Sequence, residues 1–160
     1  MAAEAAKLAL KSAGLASKNL DYVIFSTFTP YLTIPNPSCS LIHLIGAKCG
    51  GIPINTACSG FVDGLIDAHC RIKASPKQYR NILVVASETL SKKTDYNDAK
   101  TAVLFADGAG AAVIERSDEE GIIGSFLASD GGYEELLHAP AGGSRLPSSF
   151  YTVENRLNFM

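Results

Sequence analysis

Residues 50–87, GGIPINTACSGFVDGLIDAHCRIKASPKQYRNILVVAS, place a helix-spaced segment between two runs of extended character. GGIPINTA is short, apolar and without helical period, so it reads as a buried strand in which Pro53 is tolerated only near the start. From Ser59 to Ala74 the apolar residues Phe61, Val62, Leu65, Ile66 and Ile72 recur at the spacing of one helix face, and Pro76 marks the end. RNILVVAS is the most strand-like run in the chain. Strand, helix and strand with connections this short predict a right-handed βαβ unit, and hence an α/β layered domain with a mostly parallel sheet.

Upstream, the alanine-rich opening MAAEAAKLALKSAGL predicts a helix of about three turns, with Ala5, Leu8, Ala9 and Ser12 on one face and Gly14 as its C-terminal cap. Asp21 leads into YVIFST, a strand buried on both faces. Pro30, Pro35 and Pro37 make residues 28–37 a loop at that strand's end. SCSLIHLIGA follows as a short helix ended by Gly46. Downstream, GAGAAVIER and GIIGSFLASD flank the polar SDEE, which predicts an antiparallel hairpin finishing the sheet. From Gly131 on, Gly, Ser and Pro accumulate, predicting a long irregular surface segment.

The 160 residues are 47% hydrophobic and 19% charged, the composition of a compact soluble domain, and one domain is expected. Fourteen Lys plus Arg against 16 Asp plus Glu give a net charge of -2 with no long run of either sign, so nucleic acid is not an expected partner. No stretch approaches the roughly 18 to 20 apolar residues of a membrane span, and no signal peptide opens the chain, so the expectation is an intracellular protein with no membrane partner. Cys39, Cys49, Cys58 and Cys70 form no CxxC pair and have no His at zinc-ligand spacing, so reduced thiols and no metal site are expected.

Cys58 stands where the second strand meets its helix, between the small residues Ala57, Ser59 and Gly60, which let the chain turn sharply and a substrate approach the backbone. At a helix N-terminus, amide N–H groups and the positive end of the dipole stabilise a thiolate and can stabilise an oxyanion, making Cys58 a candidate nucleophile at an elbow. The plain alternative is a small buried hydrophobe. Cys39, Cys49 and Cys70 lack that setting and read as packing residues. FADGAGAAVIE invites a phosphate-loop reading, but it lacks the GxGxxG order after a strand and leads into a β-type run, so Asp107 and its glycines read as a turn behind a site. His43, His69 and His138 read as structural side chains. Lys92, Lys93 and Lys100 beside Asp95 and Asp98 read as a solvated face, with a weak site for a phosphorylated cofactor as the sharper alternative.

NTACSGF around Cys58, ILVVASETLSK, and FADGAGAAVIE followed by SDGGYEELLHAP stand in one order and at characteristic spacing. Together they resemble the N-terminal half of a β-ketoacyl-acyl-carrier-protein synthase III, a member of the thiolase-like superfamily, over nearly the whole chain. The resemblance implies a five-layered thiolase fold of two similar halves, a homodimer, and a cytoplasmic or plastid-stromal enzyme of fatty acid synthesis. It implies no cofactor beyond the coenzyme A thioester that serves as substrate. Acyl-CoA would acylate Cys58, whose own N–H would be one oxyanion donor, and the acyl group would condense with malonyl-acyl-carrier protein with loss of carbon dioxide. Ile34, in TPYLTIPNPSC, would line the acyl pocket across the dimer interface. Coenzyme A would lie near SKKTDYNDAKT, where Ala99 replaces an arginine common in the family and Lys100 stands beside it. The catalytic His and Asn, in an HQAN-type segment and a later loop, have no match in these residues, and the family's first strand has none ahead of Met1. The expectation is a fragment that self-acylates but does not condense. Hydroxymethylglutaryl-CoA and chalcone-type synthases share the elbow cysteine, although SDGGYEELLHAP favours the type III group. A non-catalytic thiolase-like half acting as a binding or assembly module is the alternative of a different class, and a nucleotide-binding α/β domain a distant third.

Overall fold

The computed structural model describes residues 1–119 and 121–160. They divide into two compact units, the first of residues 1–88 and 108–127, the second of residues 89–107 and 128–160. In the first unit, helix α1 (Ala2–Ser12) precedes strand β1 (Tyr22–Ser26), helix α2 (Pro37–Leu44), strand β2 (Gly50–Ile54), helix α3 (Gly60–Ala74), strand β3 (Asn81–Thr89) and strand β4 (Asp107–Glu115). The sheet order is β2-β1-β3-β4, with β1 parallel to both neighbours. The Arg116 N–H donates to the Arg80 carbonyl, so β4 ends where β3 begins and those two run antiparallel.

Alternation along β1 and β3 explains the layering. Val23, Phe25, Leu83 and Val85 point to one face, where they meet Ala6 and Leu10 of α1 and Leu41 of α2. Ile24, Ile82 and Val84 point to the other, against Ala68 of α3 and its partners Phe61, Leu65 and Ile72. Helices therefore cover both faces, and the two central strands, apolar without a break from Val23 to Phe25 and from Ile82 to Val85, are the buried ones.

Four expectations are corrected. β2 is not buried: it is the sheet's edge, which is why Pro53, fourth of its five residues, costs no ladder bond on the open side. α1 buries Ala6 and Leu10 while Leu8 is 67% exposed, because an alanine-rich helix offers two apolar registers and the sheet selects one. The described residues do not form the expected hairpin. β4 forms, but among the described residues 121–130 carry no strand; the SDEE turn itself reaches Glu120, outside the described residues. The stretch from Gly131 is not irregular throughout, since it holds a 3-10 helix (Gly131–Leu136) and helix α5 (Phe150–Glu154), whose Ser149 and Thr152 form a reciprocal capping box.

The second unit also contains helix α4 (Ala99–Ala102), which periodicity did not anticipate because its single turn is set by a cap: Asp98 Oδ1 accepts from the Lys100 N–H at 2.9 Å. Arg156, in the left-handed region at φ 59, is held by the Asp95 carboxylate and lies over the Phe159 ring. The Met160 N–H donates to the Lys93 carbonyl at 2.9 Å.

Candidate active site

Register brings three strand ends together. Ser26 at the end of β1 is paired with Ile54 of β2 and Ala86 of β3, so the segments leaving β1 and β2, and the last residues of β3, share one sheet edge. The chain leaves β1 for α2 on one face and β2 for α3 on the other. Neighbouring parallel strands whose connections depart to opposite faces open a crevice at their carboxyl ends, where ligands of α/β sheets bind.

Cys58 lies on one lip of that crevice. After β2 the chain makes a 3-10 turn, Ala57–Ser59, before α3 starts at Gly60, one residue later than the periodicity suggests. Ala57 adopts φ 45, a left-handed conformation that costs a non-glycine residue about 1 kcal/mol, and strain of this kind collects at functional turns. The helical hydrogen-bond series begins with the Ser59 N–H on the Thr56 carbonyl, 3.2 Å, followed by Gly60 on Ala57. The Cys58 N–H therefore stands ahead of the series, at its positive end.

The thiol is exposed, which corrects the buried-hydrophobe alternative. Cys39 and Cys70 are exposed as well, against the packing expected of them, because each falls on the outer side of its helix. Only Cys49 is partly enclosed, and burial together with the Asp21 carboxylate pushes its thiol up.

The elbow is braced from below and from within. Gly60 is buried against Ser26: a Cβ at position 60 would lie 1.9 Å from the Ser26 hydroxyl oxygen and 3.0 Å from its Cβ. Ser59 Oγ donates to Asp63 Oδ2 at 2.7 Å and also lies 3.0 Å from the Thr56 carbonyl. Hydrogen bonds from Thr56 and Ser59 hold the Asp63 carboxyl below its ordinary value. Because the folded state lowers this value, the stabilisation is present above the ordinary carboxylate range and is lost as pH falls through the folded value. Urea midpoints measured from pH 6 downward should therefore fall less steeply for Asp63→Asn than for the parent; identical slopes would mean that Asp63 does not brace the turn.

On the other lip is the loop from Thr27 to Asn36. The Thr27 N–H donates to the Ile54 carbonyl at 3.1 Å, and Glu88 at the end of β3 receives the loop's first residues. Ile34 is 85% exposed on this loop. It and Cys58 thus belong to segments rooted at one sheet edge. Lys100 lies in the second unit, exposed within α4. In that unit Asp107 accepts from both the N–H and Oγ of Ser91, each at 2.8 Å, and its carboxyl is held low by them. The glycines that follow Asp107 belong to β4 rather than to a phosphate loop.

Glu88, Thr27 and Thr29 escaped the sequence reading; the one available signal was a carboxylate shortly after the apolar run of β3, beyond Ala86 and Ser87. Among the described residues, no three His, Cys, Asp or Glu side chains are grouped to hold a metal, and no helix is long and apolar enough to cross a membrane.

Residues 52–131 match the family 3-oxoacyl-[acyl-carrier-protein (ACP)] synthase III. A relative from Caldanaerobacter subterraneus subsp. tengcongensis, beta-ketoacyl-[acyl-carrier-protein] synthase III, is 43% identical over 160 residues, covering 99% of this chain and 48% of that protein. The crystal structure of 3-oxoacyl-[acyl-carrier-protein] synthase III from Aquifex aeolicus is similar with a TM-score of 0.71 and 41% identity, over 74% of this chain and 38% of that one. The Pseudomonas aeruginosa structure of 3-oxoacyl-(acyl carrier protein) synthase III gives a TM-score of 0.81 and 33% identity, over 91% and 46%. The chain spans about half the length of the curated relatives it matches. These structures bear out the thiolase-like α/β fold expected from the resemblance. With matching that takes in the strand, the cysteine elbow and α3 in one alignment, the chain belongs to the 3-oxoacyl-[acyl-carrier-protein] synthase III family.

Proposed function

We propose that this chain carries the acyl-accepting part of a β-ketoacyl-acyl-carrier-protein synthase III, an acyltransferase of fatty acid synthesis in the cytoplasm or plastid stroma. The observation that carries it is an exposed cysteine on a strained strand-to-helix turn at the carboxyl ends of the sheet's parallel strands. Cys58 sulfur attacks the thioester carbonyl of acyl-CoA, the bond to the coenzyme A sulfur breaks, and the proton lost by Cys58 leaves with coenzyme A as its thiol. The Cys58 N–H faces the oxygen that gains charge. In the second step malonyl-acyl-carrier protein loses carbon dioxide, its carbanion attacks the cysteine-bound acyl carbon, and the Cys58 thiolate departs. That step needs groups to stabilise the enolate, and these 160 residues contain no HQAN-type segment. Peptide mapping after exposure to acetyl-CoA tests the reading: an acetyl group on Cys58 is expected, and on addition of malonyl-acyl-carrier protein no acetoacetyl product should form from this chain alone.

In this reading Ile34 lines the acyl pocket across the dimer interface and Lys100 contributes to coenzyme A binding. The arch between Pro30 and Pro35 supports the first role, because it presents Tyr31 and Ile34 to solvent at 90% and 85% exposure, bulk that a partner or an acyl chain can cover. Ile34→Gly should admit longer acyl donors, raising octanoyl relative to acetyl transfer about tenfold; an unchanged ratio removes Ile34 from the pocket. A homodimer belongs to the same proposal, supported by Ile123 and Phe126, 86% and 87% exposed in the first unit. Sedimentation should show association at micromolar concentration, and a monomer at all concentrations would count against it.

A further inference from the structure

We infer that Glu88 is a positioning residue that clamps the root of the loop carrying Ile34 and thereby sets both the acyl-pocket wall and the setting of Cys58. This rests on the acyl-transfer reading, and it goes beyond it by naming what holds the pocket's shape.

Glu88 receives the loop with both oxygens. Oε1 accepts from the Phe28 N–H at 2.9 Å, while Oε2 accepts from the Thr29 N–H at 3.0 Å, from the Thr27 hydroxyl at 3.2 Å and from the Thr29 hydroxyl. The donors come from three successive residues, so the backbone wraps the carboxylate, and the partners lie 59 to 61 residues away in sequence. Charge-assisted bonds of this kind are short and about twice as strong as neutral ones.

The other end of the loop is held separately: Asn36 Oδ1 accepts from the Ser38 N–H at 2.8 Å and caps α2. Between the two clamps residues 30–35 form an arch bounded by Pro30 and Pro35, and it is this arch that bears Tyr31, Leu32 and Ile34. Its path is set where its ends are held. The same root also touches the cysteine side of the crevice, through the Thr27 N–H on the Ile54 carbonyl and through Ser26, buried beneath Gly60. Releasing Glu88 therefore shifts the arch and loosens the floor of the elbow together.

Glu88→Gln is the discriminating substitution. It keeps size, yet an amide has one acceptor oxygen, and its NH2 would face either the Phe28 N–H or the donors on the other side. On the full chain, three quantities are read: amide exchange at Phe28 and Thr29, the alkylation rate of Cys58 relative to Cys70 by iodoacetamide, and the ratio of octanoyl to acetyl groups taken from an equimolar mixture of their coenzyme A thioesters. Exchange at Phe28 and Thr29 should rise, and the alkylation and octanoyl-to-acetyl ratios should each change about tenfold, the scale on which small misplacements act. Loss of folded protein alone would scale both acyl donors equally and leave their ratio untouched. If the parent is not acylated but Glu88→Gln still changes the alkylation ratio, the acyl reading fails and the clamp stands. If the parent is acylated and the substitution leaves both ratios unchanged, the clamp is overturned and the acyl reading stands. Should Glu88→Gln not fold, Thr29→Val, which removes one hydroxyl donor and keeps the backbone, must move both ratios away from the parent's values, and no change there overturns the clamp.

Discussion

Cys58→Ser is expected to abolish acyl transfer from acetyl-CoA, reducing it by roughly a thousandfold or more, while leaving thermal stability unchanged. The hydroxyl is a weak nucleophile without an activating base, and the residues that surround the elbow, Thr56, Ser59 and Asp63, spend their hydrogen bonds on the turn itself. Because the side chain at position 58 is exposed, its replacement removes no packing, and surface substitutions of this kind stay within about 0.5 kcal/mol. The check is intact-mass and peptide analysis after exposure to acetyl-CoA, with a melting curve on the same sample. Acetyl transfer at the parental rate would place the acceptor on another residue, with exposed Cys39 and Cys70 the first to inspect.

Gly60→Ala is expected to act in the opposite way, through structure first. A methyl group there meets the Ser26 hydroxyl oxygen at 1.9 Å and the Ser26 Cβ at 3.0 Å, and Ser26 is 3% exposed in the interior of the sheet's carboxyl edge. Rotating the serine moves its oxygen but not its Cβ, so the helix start or the strand end must shift. Overpacking of this kind costs about 3 kcal/mol, enough to lower a urea midpoint measurably in a small domain. The shift also moves the amide of Cys58, so acyl transfer should fall in the protein that remains folded. Gly60→Ala with the parental midpoint and the parental rate would show that the close approach at Ser26 is not needed.

Element types were legible because they are written locally. The helical spacing of Phe61, Val62, Leu65, Ile66 and Ile72 and the unbroken apolar run of Ile82 to Val85 identify α3 and β3 without knowledge of their neighbours, although the sheet takes Phe61, Leu65 and Ile72 with Ala68 and leaves Val62 exposed. The elbow at Cys58 was legible for the same reason, as small residues at the junction of two such patterns. The failures were of another kind. Leu8 and Ala5 have the spacing of a buried face as well as Ala6 and Leu10 do, and only contact with Leu83 and Val85 decides between them. GIIGSFLASD has strand composition, but composition does not supply a partner strand, and none pairs with it among the described residues.

What the sequence by itself determined is the α/β alternation, the cysteine at the mouth of α3 and the family to which these motifs point, since each is carried by residues adjacent along the chain. Tertiary structure alone decided that β2 is an edge, that Gly60 lies on Ser26, and that Glu88 binds the loop of Thr27, Phe28 and Thr29. Those facts depend on strand order and register, which join segments some 60 residues apart, and no local pattern of hydrophobicity encodes which strand will lie beside which.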